Sequence, residues 1–142
     1  MKLQMHLIIL ALYLASYPNI SSAGIAIIIN NNNGLEAITL TDLKRIYMGN
    51  VSKFPNGSSI ALSDLKKKDP IRAEFYEKVT RKTVKKMRGH WRQKLFAGEG
   101  IPPKENRNSA RMKAWVSDLT GAIGYIDAED IDDTVKTILI IN

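Results

Sequence analysis

The chain has 142 residues, 44% of them hydrophobic and 25% charged, with a net charge of +7. That length suits one core, and the apolar share excludes a disordered chain. With no Cys at all, a disulfide framework and a thiolate metal site are excluded. The only histidines are His6 and His90, so a His-based zinc site or a Ser-His-Asp triad would rest on His90 alone, and no metal or cofactor is expected.

Residues 1–23 read as a signal peptide. Lys2 supplies a basic start, and His6–Ala15 is an apolar run of h-region length, about half of what a membrane span needs. Pro18 breaks the run, and Ser21-Ser22-Ala23 offers small residues for cleavage after Ala23. Cleavage leaves 119 of the 142 residues, 24–142, as one domain without a transmembrane span and places it in the periplasm or outside the cell.

Gly24–Ile29 is a continuous Ile-rich run, which predicts a strand buried on both faces, of the parallel-sheet kind. A polar turn follows at Asn30–Gly34. Thr39 or Thr41 caps a helix with Leu43, Ile46 and Tyr47 on one face, and Gly49 stops it. Phe54-Pro55-Asn56-Gly57 marks a turn, and Ser59–Leu62 a brief strand. Asp69-Pro70 pairs an N-cap acid with Pro at the first helical position, and Ile71, Phe75 and Val79 line that helix's face. A second helix starts at Thr83, with Val84, Met87, Trp91 and Leu95 inward, and Gly98 and Gly100–Pro103 end it. A third spans about Asn108–Leu119, burying Met112, Trp115, Val116 and Leu119. Gly121–Ile126 and Val135–Ile141 read as strands. The order β-α-β-α-α-α-β-β predicts an α/β fold, a mixed sheet flanked by helices.

Four pieces together resemble one family: Ile25–Asn30; Leu40–Gly49, ending Tyr-Met-Gly; Phe54-Pro-Asn-Gly57 with Ile60–Ser63 and Arg72–Phe75; and Gly121-Ala-Ile-Gly-Tyr125 before a last strand. The family is that of the phosphate ABC transporter substrate-binding proteins, with the type 2 periplasmic binding protein fold. The resemblance implies one lobe of a two-lobed receptor. It implies phosphate or another small anion as ligand, with an ABC transporter, or a separate chain supplying the second lobe, as partner. In that family a Ser-Gly-Thr-Arg turn at a helix start points N–H groups and hydroxyls at the anion. Here the stretch reads Asp69-Pro70-Ile71-Arg72. Only Arg72 keeps the pattern, Pro70 has no N–H, and a carboxylate stands where the anion would sit. Anion binding is therefore expected to be weak or lost. Lys66, Lys67 and Lys68 with Arg72 form the candidate anion-binding group, with Asp64 and Asp69 able to neutralise the lysines locally.

Residues 64–94 carry twelve basic and four acidic side chains. Within them Lys85, Lys86, Arg88 and Arg92 surround the apolar stripe of a helix, the pattern of a surface that meets an anionic partner. Such an interaction module is the alternative function. An exported protein meets lipid, polysaccharide or protein before nucleic acid, so nucleic acid is not expected. His90 reads as a boundary residue of a packed helix. The acidic run Asp127–Asp133 lacks the spacing of a calcium loop. No nucleophile has a base beside it in the sequence pattern, so no enzyme activity is expected.

Overall fold

Ile25–Ile29 forms strand β1, and all five of its residues are buried. The computed structural model describes residues 23–142. The expected signal peptide, apart from Ala23, lies outside the described residues.

β1 is followed by α1 (Leu40–Tyr47), β2 (Ala61–Leu65), α2 (Pro70–Thr80), α3 (Val84–Phe96), β3 (Lys104–Asn106), α4 (Ser109–Asp118), β4 (Ala122–Asp127) and β5 (Lys136–Ile141). The five strands make one mixed sheet in the order β3-β2-β4-β1-β5, flanked by the helices. The α/β class is as the sequence predicts. β2 runs parallel to β3 and β4, whereas β1 is antiparallel to both β4 and β5. The parallel character expected of β1 is therefore corrected. Its continuous Ile run reflects burial on both faces, and burial does not depend on strand direction.

Each helix opens on a capping side chain. The side chains of Thr39, Asp69, Thr83 and Asn108 accept from the backbone N–H of Asp42, Ile71, Lys86 and Arg111 respectively, each worth about 1 kcal/mol. The face of α1 packs Tyr47 edge-on to Phe75 of α2, with ring centroids 4.6 Å apart. Phe75 stacks on Tyr125 of β4 at 3.8 Å. This aromatic column ties both helices to the sheet.

Three expectations shift. The second strand covers Ala61–Leu65 rather than Ser59–Leu62. Its polar residues Ser63 and Asp64 are fully buried, because Ser63 Oγ donates to the Ile123 carbonyl at 2.7 Å and Asp64 is bonded as described below. β3 has no apolar signature and no counterpart in the predicted order, yet its backbone pairs with the edge of β2. Finally, Leu95 and Leu119 are exposed and Trp115 is half-buried. The apolar stripe of α3 is covered as far as Trp91, whose ring packs on Gly49, and its last turn extends past that cover.

Candidate functional site

Asp64 lies near the end of β2, 1% exposed, and Arg72 lies in the first turn of α2, 5% exposed. Arg72 Nη2 is 3.2 Å from Asp64 Oδ2. Its Nη1 donates to the Leu65 carbonyl and to Glu105 Oε2, both at 2.8 Å. Tyr76 and Tyr125 each donate a hydroxyl hydrogen to one oxygen of the Asp64 carboxylate. Tyr47 donates to the Ser63 carbonyl at 2.9 Å. The Asp64 carboxylate, the Arg72 guanidinium and three tyrosines thus sit inside the apolar core, and Glu105, its side chain 55% exposed, reaches Arg72 from the surface.

The electrostatics follow from burial. Loss of solvent pushes the Asp64 carboxyl up, and Arg72 and the two tyrosine hydroxyls pull it partway back. Burial acts against the charge of Arg72, but the carboxylates of Asp64 and Glu105 hold its proton more firmly than usual. Tyr47, Tyr76 and Tyr125 are all raised, first by burial and then by the charge on Asp64.

The start of α2 lies beside this network. A helix start normally leaves free N–H groups that attract anions. Here Pro70 has none, Ile71 N donates to Asp69 Oδ1 at 3.0 Å, and Arg72 N donates to the Asp69 carbonyl at 3.1 Å. The first three helical positions therefore offer no free backbone donor.

Lys66, Lys67 and Lys68 are exposed on the loop between β2 and α2. Arg72 turns inward instead, so the four members of the candidate anion-binding group divide between solvent and core. Asp64, expected to screen the lysines, is paired with Arg72 in the interior. Lys85, Lys86, Arg88 and Arg92 are all exposed on α3. His90 Nε2 lies 2.8 Å from the Met48 carbonyl just past α1, the geometry of an N–H donor holding two helices together. Sequence reasoning missed Glu105, Tyr76 and Tyr125 as polar partners. Only the Tyr closing Gly-Ala-Ile-Gly-Tyr125 carried a signal. Among the described residues no group of three His, Cys, Asp or Glu is placed to hold a metal ion, and no helix is long and apolar enough to cross a membrane.

No family model matches the chain, and no curated protein matches it. Solved structures do. A Clostridium perfringens protein, described as a phosphate ABC transporter substrate-binding protein with bound phosphate, is similar over 81% of this chain and 44% of its own, with 26% identity and a TM-score of 0.65. An ABC-type phosphate transport receptor from Vibrio cholerae matches over 81% of this chain and 45% of its own, at 23% identity and a TM-score of 0.64. PstS from Borrelia burgdorferi matches over 81% and 46%, at 12% identity and a TM-score of 0.62. The chain therefore resembles the phosphate ABC transporter substrate-binding proteins in fold, and it spans less than half the length of the structures it matches.

Proposed function

We propose that this chain is a solute-binding module of the phosphate-receptor type, acting outside the cytoplasm, in which binding of inorganic phosphate is weak or lost. The observation that carries this reading is the closed start of α2. Pro70 lacks an N–H, Asp69 occupies the Ile71 N–H, and Arg72 is engaged by Asp64 and Glu105. A phosphate arriving there would meet the Asp69 carboxylate and exposed lysines. It would find no free backbone donor at the first three helical positions, so its dehydration would go poorly compensated. Lys66, Lys67 and Lys68 remain the charges able to hold it loosely.

The role is transport-related binding rather than catalysis. The partners are an ABC transporter or a separate chain that supplies a second lobe, and export proceeds by cleavage after Ala23. Calorimetry of the full chain with inorganic phosphate tests the reading. The expected dissociation constant lies far above the micromolar range, and Asp69→Ser with Ile71→Thr should tighten it. Sub-micromolar binding by the unmodified chain overturns it.

A second reading is favoured by α3, which has no acidic residue between Val84 and Phe96 and exposes Lys85, Lys86, Arg88 and Arg92. In it, the fold serves as a platform that docks an anionic partner through this helix. Replacing those four residues by Gln should leave thermal unfolding nearly unchanged, since exposed substitutions shift stability by less than about 0.5 kcal/mol each. It should also reduce retention on an anionic resin. Unchanged retention rejects the platform.

A further inference from the structure

A cavity of about 290 Å³ lies against α3 and reaches the α2 start through Arg72, although none of residues 66–71 lines it. Buried Asp64 and Arg72, exposed Glu105 and Trp91 of α3 all line it. Two side-chain nitrogens of this lining, Arg72 Nε and Trp91 Nε1, are buried and donate to nothing. Every other nitrogen of the Arg72 guanidinium has an oxygen partner. A buried N–H without an acceptor costs free energy that the fold does not recover, and native structures hold few of them. Here two belong to residues that line one cavity.

The rest of the lining narrows the chemistry. Arg88 and Arg92 are exposed and add positive charge. Counting Arg72, the cavity has three guanidinium groups against two carboxylates, a surplus of one positive charge. Leu95, Pro102 and Pro103 offer only hydrocarbon. The ligand that answers both sides has a charged acceptor at one end and a compact apolar group at the other.

We propose that this cavity binds a small organic carboxylate bearing a compact hydrocarbon group. The carboxylate oxygens accept from Arg72 Nε and Trp91 Nε1, Arg88 and Arg92 face the charge, and the hydrocarbon lies against Leu95, Pro102 and Pro103. Both nitrogens are covered by protein in the present arrangement, so the carboxylate reaches them only as lining side chains give way. Inorganic phosphate would leave the apolar wall unused. This site shares Arg72 with the phosphate reading above but uses its Nε, which that reading does not, and none of Lys66, Lys67 and Lys68 lines it.

The full chain has two tryptophans, Trp91 and Trp115, so its nitrogen–proton correlation spectrum has two indole peaks, which a Trp115→Phe variant assigns. Isovalerate, acetate and phosphate are titrated in parallel. The Trp91 indole peak should move saturably with isovalerate, and acetate should bind at least about tenfold more weakly, having three fewer carbons to bury. Arg88→Gln with Arg92→Gln should weaken isovalerate about threefold or more. The proposal is overturned if the Trp91 peak stays still with isovalerate, if acetate or phosphate moves it at equal concentration, or if the double variant binds isovalerate as tightly as the parent.

Discussion

Arg72 and Asp64 stand 3.2 Å apart inside the core, the guanidinium of a helix's first turn against the carboxylate of the preceding strand. The pair ties β2 to α2, so the arginine that the sequence pattern offers to a ligand is engaged from within.

Breaking this pair from one side should be costly. Asp64→Asn leaves Arg72 facing Glu105 alone, and Arg72→Met leaves the buried Asp64 charge with only two hydroxyl donors. Each should destabilise the chain by about 3–5 kcal/mol, read from urea unfolding. The double variant should lose less than the sum of the singles, because one uncompensated charge is then absent. Strict additivity would mean that the two groups act independently.

The buried tyrosines make the fold sensitive to alkali. Tyr47, Tyr76 and Tyr125 have folded-state values raised above the ordinary 10.0, so above about pH 10 the unfolded chain releases protons that the folded chain retains. Stability is full below pH 10 and falls as pH rises beyond it. In a chain with Tyr13→Phe and Tyr17→Phe, tyrosinate absorbance at 295 nm should rise only together with the loss of circular dichroism. Absorbance rising first would place those hydroxyls in reach of solvent.

Asp132 reports the opposite shift. The hydrogen bond from Lys113, at 2.6 Å, and those from Thr134 hold its carboxyl at about 2. Its contribution to stability is present above the ordinary value of 3.8 and is lost as pH falls toward 2. A carbon-detected NMR titration should give a midpoint near that value, and Lys113→Ala should move it up toward the ordinary range. An unmoved midpoint would assign the shift to Thr134 alone.

Two glycines should respond with opposite signs to the same substitution. A Cβ on Gly124 of β4 would run into Met112 Sδ and lie 2.8 Å from Ser63 Oγ, so Gly124→Ala should cost about 1–3 kcal/mol. Gly89 lies inside α3, and a Cβ there meets nothing within 4 Å. Gly89→Ala should therefore raise stability by about 0.5–1 kcal/mol through backbone entropy and helix propensity. Thermal unfolding of the two variants checks both signs at once.

Local features were legible in the chain before folding. The N-caps Asp69 and Thr83, a cap at Thr39 or Thr41, the buried face of α1, Phe75 and Val79 of α2 and the all-buried β1 follow from residue periodicity and capping, which act within a few residues. The family resemblance and the α/β class were readable for the same reason, as was the closed start of α2, where Asp69 and Pro70 are adjacent. Tertiary structure alone decided the rest. The predicted strand stopped at Leu62, short of Ser63-Asp64, but the Ile123 carbonyl for Ser63 and bonds from Tyr76 and Tyr125 for Asp64 make their burial tolerable. β3 exists only because the edge of β2 supplies its hydrogen-bond partners. The antiparallel setting of β1 is a property of its neighbours, not of its isoleucines. Arg72 read as an anion-binding residue and Asp64 as a neutraliser of the neighbouring lysines, and only the packing of α2 against the sheet took both out of water and made them partners. Whether a charge belongs to solvent, to a ligand or to another side chain depends on groups brought together from distant positions, and no local pattern encodes it.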